Sequence, residues 1–172
     1  MEFIVDTVPS LIWEDENIKG KLYLGGYKAA VNVSWLKKSN VSLIVNTAKG
    51  LENVLGPKYV QQLSKRSNEC PEIDICNYPI NDDLQQTLDI EDLKNVYNDV
   101  RKHFDNGSSI LVHCAQGKSR STTVLAAVLC FMTNKTVDEI LKFIKSKRSM
   151  ADPNTNFLNQ LKVLEKNGDF IL

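Results

Sequence analysis

Apolar positions along the chain fall into two rhythms. The runs Val41-Ser42-Leu43-Ile44-Val45 and Ile110-Leu111-Val112 are almost continuously hydrophobic, the pattern of strands buried on both faces. Between positions 89 and 104, by contrast, Ile90, Leu93, Val96, Val100 and Phe104 recur every three or four residues. That spacing predicts an amphipathic helix, with Asp89 as its cap and Glu91 and Asp92 in its first turn. Lys21-Leu22-Tyr23-Leu24, closed by Gly25-Gly26, predicts a first strand, followed by one helix carrying Ala30, Val33 and Leu36. Ile73-Asp74-Ile75-Cys76 alternates and predicts a strand running into Tyr78-Pro79-Ile80. Positions 50–66 suggest a further helix, with Gly56-Pro57 inside its pattern.

In the second half, Asn106-Gly107 makes a turn into a strand at 109–112, and a very apolar helix is expected from Arg120 to Met132. Thr136-Val137-Asp138-Glu139 is a capping box, opening a helix whose inner face is Val137, Ile140, Leu141 and Ile144. Pro153 interrupts the pattern, and a last helix with Phe157, Leu158, Leu161 and Leu164 stops at Asn167-Gly168. Buried strands alternating with helices predict an α/β fold. We expect a single domain with a central, mostly parallel (mixed) sheet of about five strands, flanked by helices on both sides. Residues 1–17 read as an N-terminal extension to a domain at 18–172, with Phe3, Ile4, Leu11 and Trp13 expected to pack onto it.

Composition narrows the function classes. The chain has 172 residues, 42% of them hydrophobic, enough for one domain and too few for two of ordinary size. Lys and Arg total 21 and Asp and Glu total 21, so the formal net charge is zero. A protein that coats nucleic acid or anionic membrane would carry a basic excess, so no nucleic-acid partner is expected. No run approaches the ~18 apolar residues of a spanning helix, so no stable membrane insertion is expected either. Positions 1–6 lack a basic n-region, and position 2 is Glu rather than Gly. Cys70, Cys76, Cys114 and Cys130 match no zinc spacing and read as reduced thiols of a cytoplasmic or nuclear protein. The balanced total conceals a pattern. Positions 69–92 hold eight acidic residues and no Lys or Arg, whereas 117–148 hold seven basic residues against Asp138 and Glu139.

The chemistry lies between the strand ending at Val112 and the helix opening at Arg120: His113-Cys114-Ala115-Gln116-Gly117-Lys118-Ser119-Arg120-Ser121. Where a buried strand turns sharply into a helix, the first N–H groups lack intrahelical acceptors and point into the loop. An anion can sit there, held by those N–H groups and the positive end of the helix dipole. Arg120 adds a planar fork of donors matched to phosphate. The same field favours the thiolate of Cys114, and thiolate is the nucleophile. A thiolate at the base of a phosphate cradle suggests in-line attack on phosphorus and a cysteinyl-phosphate intermediate. Ser121 places a hydroxyl near the sulfur and could stabilise it as a leaving group, while His113 is expected to orient the loop. The plain alternative makes Cys114 a small buried hydrophobe and Arg120 a surface cation. Five fixed residue types at this spacing arise by chance in only about one in 10⁴ chains of this length.

With these residues the chain resembles the cysteine-dependent phosphatases, in particular the small dual-specificity protein phosphatases. Leu22-Tyr23-Leu24-Gly25, the helix with Ala29-Ala30, and positions 41–47 are similar to that family's opening strand–helix–strand. Tyr78-Pro79-Ile80-Asn81-Asp82 is similar to its acid loop, and Arg148 with Pro153-Asn154 and Phe157-Leu158-Asn159-Gln160-Leu161 to its C-terminal signature. Positions 50–71 depart from its smallest members. The resemblance implies a protein-tyrosine-phosphatase-like fold and hydrolysis of phosphotyrosine and phosphoserine or phosphothreonine in proteins, with no cofactor and no metal. It places the general acid at Asp82, with Asp83 the competing choice. Residues 113–120 would bind phosphate. Lys118 is either a charge for a polyanionic substrate or a solvated loop cation, and lipid phosphatases of the phosphatase-and-tensin type have Lys there. A phosphoinositide phosphatase using the same chemistry is therefore the second reading, and a phosphate-binding scaffold without turnover the third. Cys70 or Cys76 could in principle trap Cys114 as a disulfide.

Overall fold

Every residue of Ser109–His113 is buried, and this strand lies at the centre of a five-stranded sheet. The computed structural model describes residues 5–52 and 73–172. In chain order the strands are β1 (Ser10–Glu14), β2 (Lys21–Gly25), β3 (Val41–Ala48), β4 (Asp74–Ile80) and β5 (Ser109–His113). They are arranged β1-β2-β5-β3-β4. The pairs β2–β5, β5–β3 and β3–β4 are parallel, and β1 joins β2 antiparallel. The expected mixed, mostly parallel sheet is what the chain forms.

The period of two along the strands distributes side chains between two layers. Leu43, Val45, Ile110 and Val112 enter the larger core, whereas Ile44 and Leu111 enter a smaller one; Val41 joins the smaller because the register shifts between it and Leu43. The larger layer holds α3 (Ile90–Asp105), α4 (Arg120–Met132), α5 (Val137–Lys147) and α6 (Thr155–Lys166). The smaller is built on α1 (Tyr27–Ala30) and α2 (Val33–Lys38). Helix α4 is buried from Ser121 to Phe131 because α3, α5 and α6 surround it against the sheet, which explains its lack of a polar stripe. Its first turn is thereby set rigidly behind the end of β5.

Three helix caps form as the sequence predicts. Asp89 accepts from Asp92 N–H at the start of α3, and Thr136 and Glu139 complete the capping box of α5. At the end of α6, Asn167 is the cap and Gly168 takes the left-handed conformation, φ +74°.

Two expectations differ. The single helix through Ala30, Val33 and Leu36 is two short helices, because the Asn32 side chain accepts from Trp35 N–H and caps α2 itself. The segment read as an N-terminal extension contributes an edge strand. In β1 it is Ile12 that enters the core, at 2% exposure, while Trp13 stacks edge-on against Phe143 at 5.6 Å. Leu11 is half-buried. Phe3, Ile4, Cys70 and most of the helix suggested at 50–66 lie outside the described residues. Among the described residues, no helix is long and apolar enough to cross a membrane.

Candidate active site

The residues 113–121 lie at the C-terminal end of the parallel strands, between β5 and α4, where ligand sites of α/β sheets are found. Cys114 is only 2% exposed. Its Sγ accepts from Gly117 N–H at 3.2 Å and lies 3.1 Å from Ser121 Oγ. With the sulfur as thiolate, the hydroxyl must be the donor. The Cys114 sulfur is held between the loop and the first turn of the helix.

The shape of the loop follows from where its carbonyls are tied. Cys114 O accepts from His113 Nδ1 at 3.1 Å and Ala115 O from Tyr27 N–H at 3.1 Å. Gln116 O and Gly117 O accept from Arg148 Nη2 at 3.1 Å and Nε at 2.9 Å. Lys118 O accepts from Asp152 N–H at 2.8 Å. In a trans peptide the C=O and the following N–H point in opposite directions. Each outward carbonyl therefore turns the next residue's N–H inward, so residues 115–119 present a ring of donors to the space over Sγ. Gly117 has φ +71°, and a Cβ there would come within 2.5 Å of the Gly25 backbone, so only glycine fits.

Arg120, the first residue of α4, donates from Nη1 to Ile80 O at 3.4 Å, which swings its side chain toward the end of β4. Its Nε is buried without a partner among the described residues, a donor that an oxyanion would satisfy. Ser119, at the N-cap of α4, makes no side-chain bond to the helix. Its Oγ accepts instead from Asn154 N–H at 2.9 Å. Lys118 is exposed.

His113 is fully buried, and burial pushes its imidazole down to about 4, outweighing the bond to Cys114 O. The ring is neutral near pH 7, and because a carbonyl can only accept, Nδ1 carries the proton. The neutral ring is bonded to the backbone of the loop's own Cys114, and Thr47 adds a bond from its hydroxyl to His113 O at 2.9 Å.

The two candidate acids have different partners. Asp83 Oδ1 accepts from Gln85 N–H at 3.0 Å and Gln86 N–H at 2.7 Å, so it caps its own turn. Asp82 makes no such turn; its Oδ1 accepts from Asn154 Nδ2 at 2.9 Å. The N-cap of α6, Asn154, and two amides of the helix, Asn156 and Gln160, hold the loop against the domain. Asn154 donates to Asp83 O, Asn156 to Asp83 O and Gln86 O, and Gln160 to Gln86 O while accepting from Leu88 N–H. Sequence reasoning left this role unread for Asn156 and Gln160. The signal was there: they stand four residues apart on one helical face, and they bond each other at 2.9 Å. Arg148, read only as part of a resemblance, lies directly behind the loop.

Two further thiols lie among the described residues, Cys76 and Cys130. Burial, helped by the neighbouring Asp99 carboxylate, pushes Cys76 up to about 12. Burial and Glu165 do the same to Cys130. Cys76 pairs in register with Val45 and so with Val112, two strands away, about 10 Å at the usual strand spacing. A disulfide needs Cα atoms within about 7 Å, so Cys76 cannot reach Cys114 without a backbone rearrangement.

A buried cysteine ringed by inward N–H groups at a strand-to-helix turn of such a sheet makes an anion site of the kind a phosphatase needs. The comparisons agree. The family model "Dual specificity phosphatase, catalytic domain" matches residues 22–167, and the chain belongs to that family. It is a protein phosphatase of the dual-specificity family. It is 32% identical over 161 residues to "Dual specificity protein phosphatase 1" of Arabidopsis thaliana, an alignment covering 94% of this chain and 71% of that one. It is 33% identical over 153 residues to a rhodanese domain-containing dual specificity protein phosphatase of Dictyostelium discoideum, covering 89% of this chain but 29% of the relative. Among solved structures, human DUSP28 has a TM-score of 0.72 at 24% identity, covering 93% of this chain and 95% of that one, and shares the fold.

Proposed function

We propose that the chain removes phosphate from phosphotyrosine and phosphoserine or phosphothreonine in proteins, through a cysteinyl-phosphate intermediate. The observation that carries this reading is the placement of Cys114 Sγ, held by Gly117 N–H and Ser121 at the floor of a ring of N–H donors. Arg120 and the N–H groups of 115–119 bind the phosphoryl oxygens. The thiolate attacks phosphorus in line as the ester oxygen leaves, and Asp82 protonates that oxygen. The phosphoryl charge spreads over three equatorial oxygens in the transition state, where the fixed donors bind it more tightly than in the ground state. In the second step Asp82 takes a proton from water, the water attacks phosphorus, and Cys114 leaves as thiolate stabilised by Ser121. His113, neutral, keeps the loop in place and transfers no proton.

Asp82 rather than Asp83 is assigned the acid because both oxygens of its carboxylate are not committed to a turn, and because Asn154 links it to the same Ser119 that lines the cradle. The deciding experiment is release of phosphate from an aryl phosphate and from phosphotyrosine, phosphoserine and phosphothreonine peptides, in the presence of a chelator. Activity is expected in the wild-type chain and absent from Cys114→Ser. Turnover surviving in that variant overturns the mechanism.

Exposed Lys118 supports a second reading, a phosphoinositide phosphatase. Ala115 and Gln116 beside it are neutral, which favours the protein substrate. Inositol phospholipids in the same panel, hydrolysed faster than the peptides, would reverse the order.

A further inference from the structure

We propose that Asp6, far from the loop in sequence, is a positioning residue for the oxyanion cradle and acts through Arg148. Arg148 is 4% exposed, and all five of its N–H donors are used. Nε donates to Gly117 O at 2.9 Å and Nη2 to Gln116 O at 3.1 Å. The opposite side of the fork grips the N-terminal segment. Nη1 and Nη2 donate to the two carboxylate oxygens of Asp6 at 2.8 and 3.1 Å, and Nη1 also to Ser10 Oγ at 3.1 Å. Positions 6 and 10 lie outside the segment 22–167 that matches the family model.

The geometry gives this link a consequence for phosphate. Gln116 O and Gly117 N–H belong to one peptide unit, as do Gly117 O and Lys118 N–H. By holding both carbonyls outward, Arg148 aims two N–H groups of the ring inward, one of them at Cys114 Sγ. Gly117 is the residue most able to rotate those peptides, since it lacks a Cβ. A buried guanidinium is costly without a counter-charge. Among the described residues, the carboxylate paired with Arg148 is that of Asp6. Without it the guanidinium gains by moving toward water, which frees the two carbonyls to turn into the cradle. The N-terminal segment has other anchors: Asn32 Nδ2 donates to Thr7 O at 2.9 Å, and β1 pairs with β2. Loss of the Asp6 charge therefore leaves the segment seated.

The inference rests on the phosphatase reading for its effect on turnover, but its effect on oxyanion affinity can be measured separately. Full-length wild type, Asp6→Asn, Asp6→Glu, Arg148→Lys and the Asp6→Asn/Arg148→Lys double variant are compared. Turnover of p-nitrophenyl phosphate, inhibition by vanadate and calorimetric binding of tungstate are the readouts. Asp6→Asn is expected to lower kcat and weaken vanadate about tenfold, with KM changed less than about threefold, because the transition-state geometry depends most on the aimed donors. Asp6→Glu should restore much of the loss. In the Arg148→Lys background, Asp6→Asn should change kcat by less than about twofold, since the two act as one unit. Unchanged kcat, vanadate inhibition and tungstate affinity in Asp6→Asn overturn the proposal, as does an equal effect in both backgrounds. Should Arg148→Lys not fold, the Asp6→Glu rescue decides, and its absence counts against the proposal. A wild-type chain that binds tungstate but hydrolyses nothing sinks the proposed function instead, and tungstate affinity then decides the role of Asp6.

Discussion

Asn154 and Asp82 are 72 positions apart and are joined by a 2.9 Å hydrogen bond from the Asn154 amide to Asp82 Oδ1. The Asn154 backbone N–H donates to Ser119 Oγ, and its Oδ1 caps α6 by accepting from Phe157 N–H. One residue thus ties the acid loop, the phosphate loop and a helix start. Asn154→Ala should cost about 1 kcal/mol of stability from the lost cap. It should also lower kcat more for alkyl than for aryl phosphates, because the acid is no longer aimed. Chemical denaturation and a leaving-group series measure the two effects; equal losses across the series would make Asn154 a cap only.

With Asp82 as the proposed acid, Asp82→Asn should reduce kcat about 10²-fold for poor leaving groups, with KM little changed. Asp83→Asn should act differently. It weakens the turn at Gln85 and Gln86 and should leave kcat within a few-fold. The reverse result would move the acid assignment to Asp83.

Ser121→Ala removes the hydroxyl 3.1 Å from Sγ. Attack needs a thiolate that is already present, whereas breakdown must expel it, so the second step should slow more than the first. Rapid-quench kinetics should then show a burst of leaving group and a trapped cysteinyl-phosphate. A steady-state loss without a burst would assign the hydroxyl to the first step.

Stability should depend on pH through His113. Its folded value, about 4, lies below the ordinary 6.5, so the unfolded chain binds the extra proton between those values. Unfolding free energy is therefore complete above about pH 6.5 and falls as pH drops toward 4, by on the order of 3 kcal/mol. His113→Asn, which retains a donor for Cys114 O, should flatten that part of the profile in denaturant titrations at successive pH values. An unchanged slope would show that other groups set it.

Much of the fold was legible in the sequence because local rules and tertiary packing agree. The run Val41–Val45 has a single polar residue, Ser42, and too little polar surface for a face turned to water, so it had to lie inside a sheet covered on both sides. Thr136 and Glu139 satisfy each other across one turn and need no distant partner. The helix broken at Asn32 was missed because an interior position and a cap differ only in where one side chain finds its N–H. Strand β1 was missed because an edge strand with one deeply buried residue carries a weak alternation.

The sequence by itself determined the loop that carries Cys114 and Arg120, since a strand end, a glycine turn and a helix start occupy nine consecutive positions. The net charge of zero argued against a polyanion-coating protein but could not show that one phosphate-sized site uses the positive field. Only the tertiary structure decided the contacts that Asp82, the loop at 83–86 and the loop at 116–117 make. Those depend on Asn154, Asn156, Gln160, Arg148 and Asp6, which reach their partners across 30 to 140 positions in round numbers. Hydrogen bonds at such separations leave no periodicity in the chain; they exist only once the sheet and helices have brought their ends together.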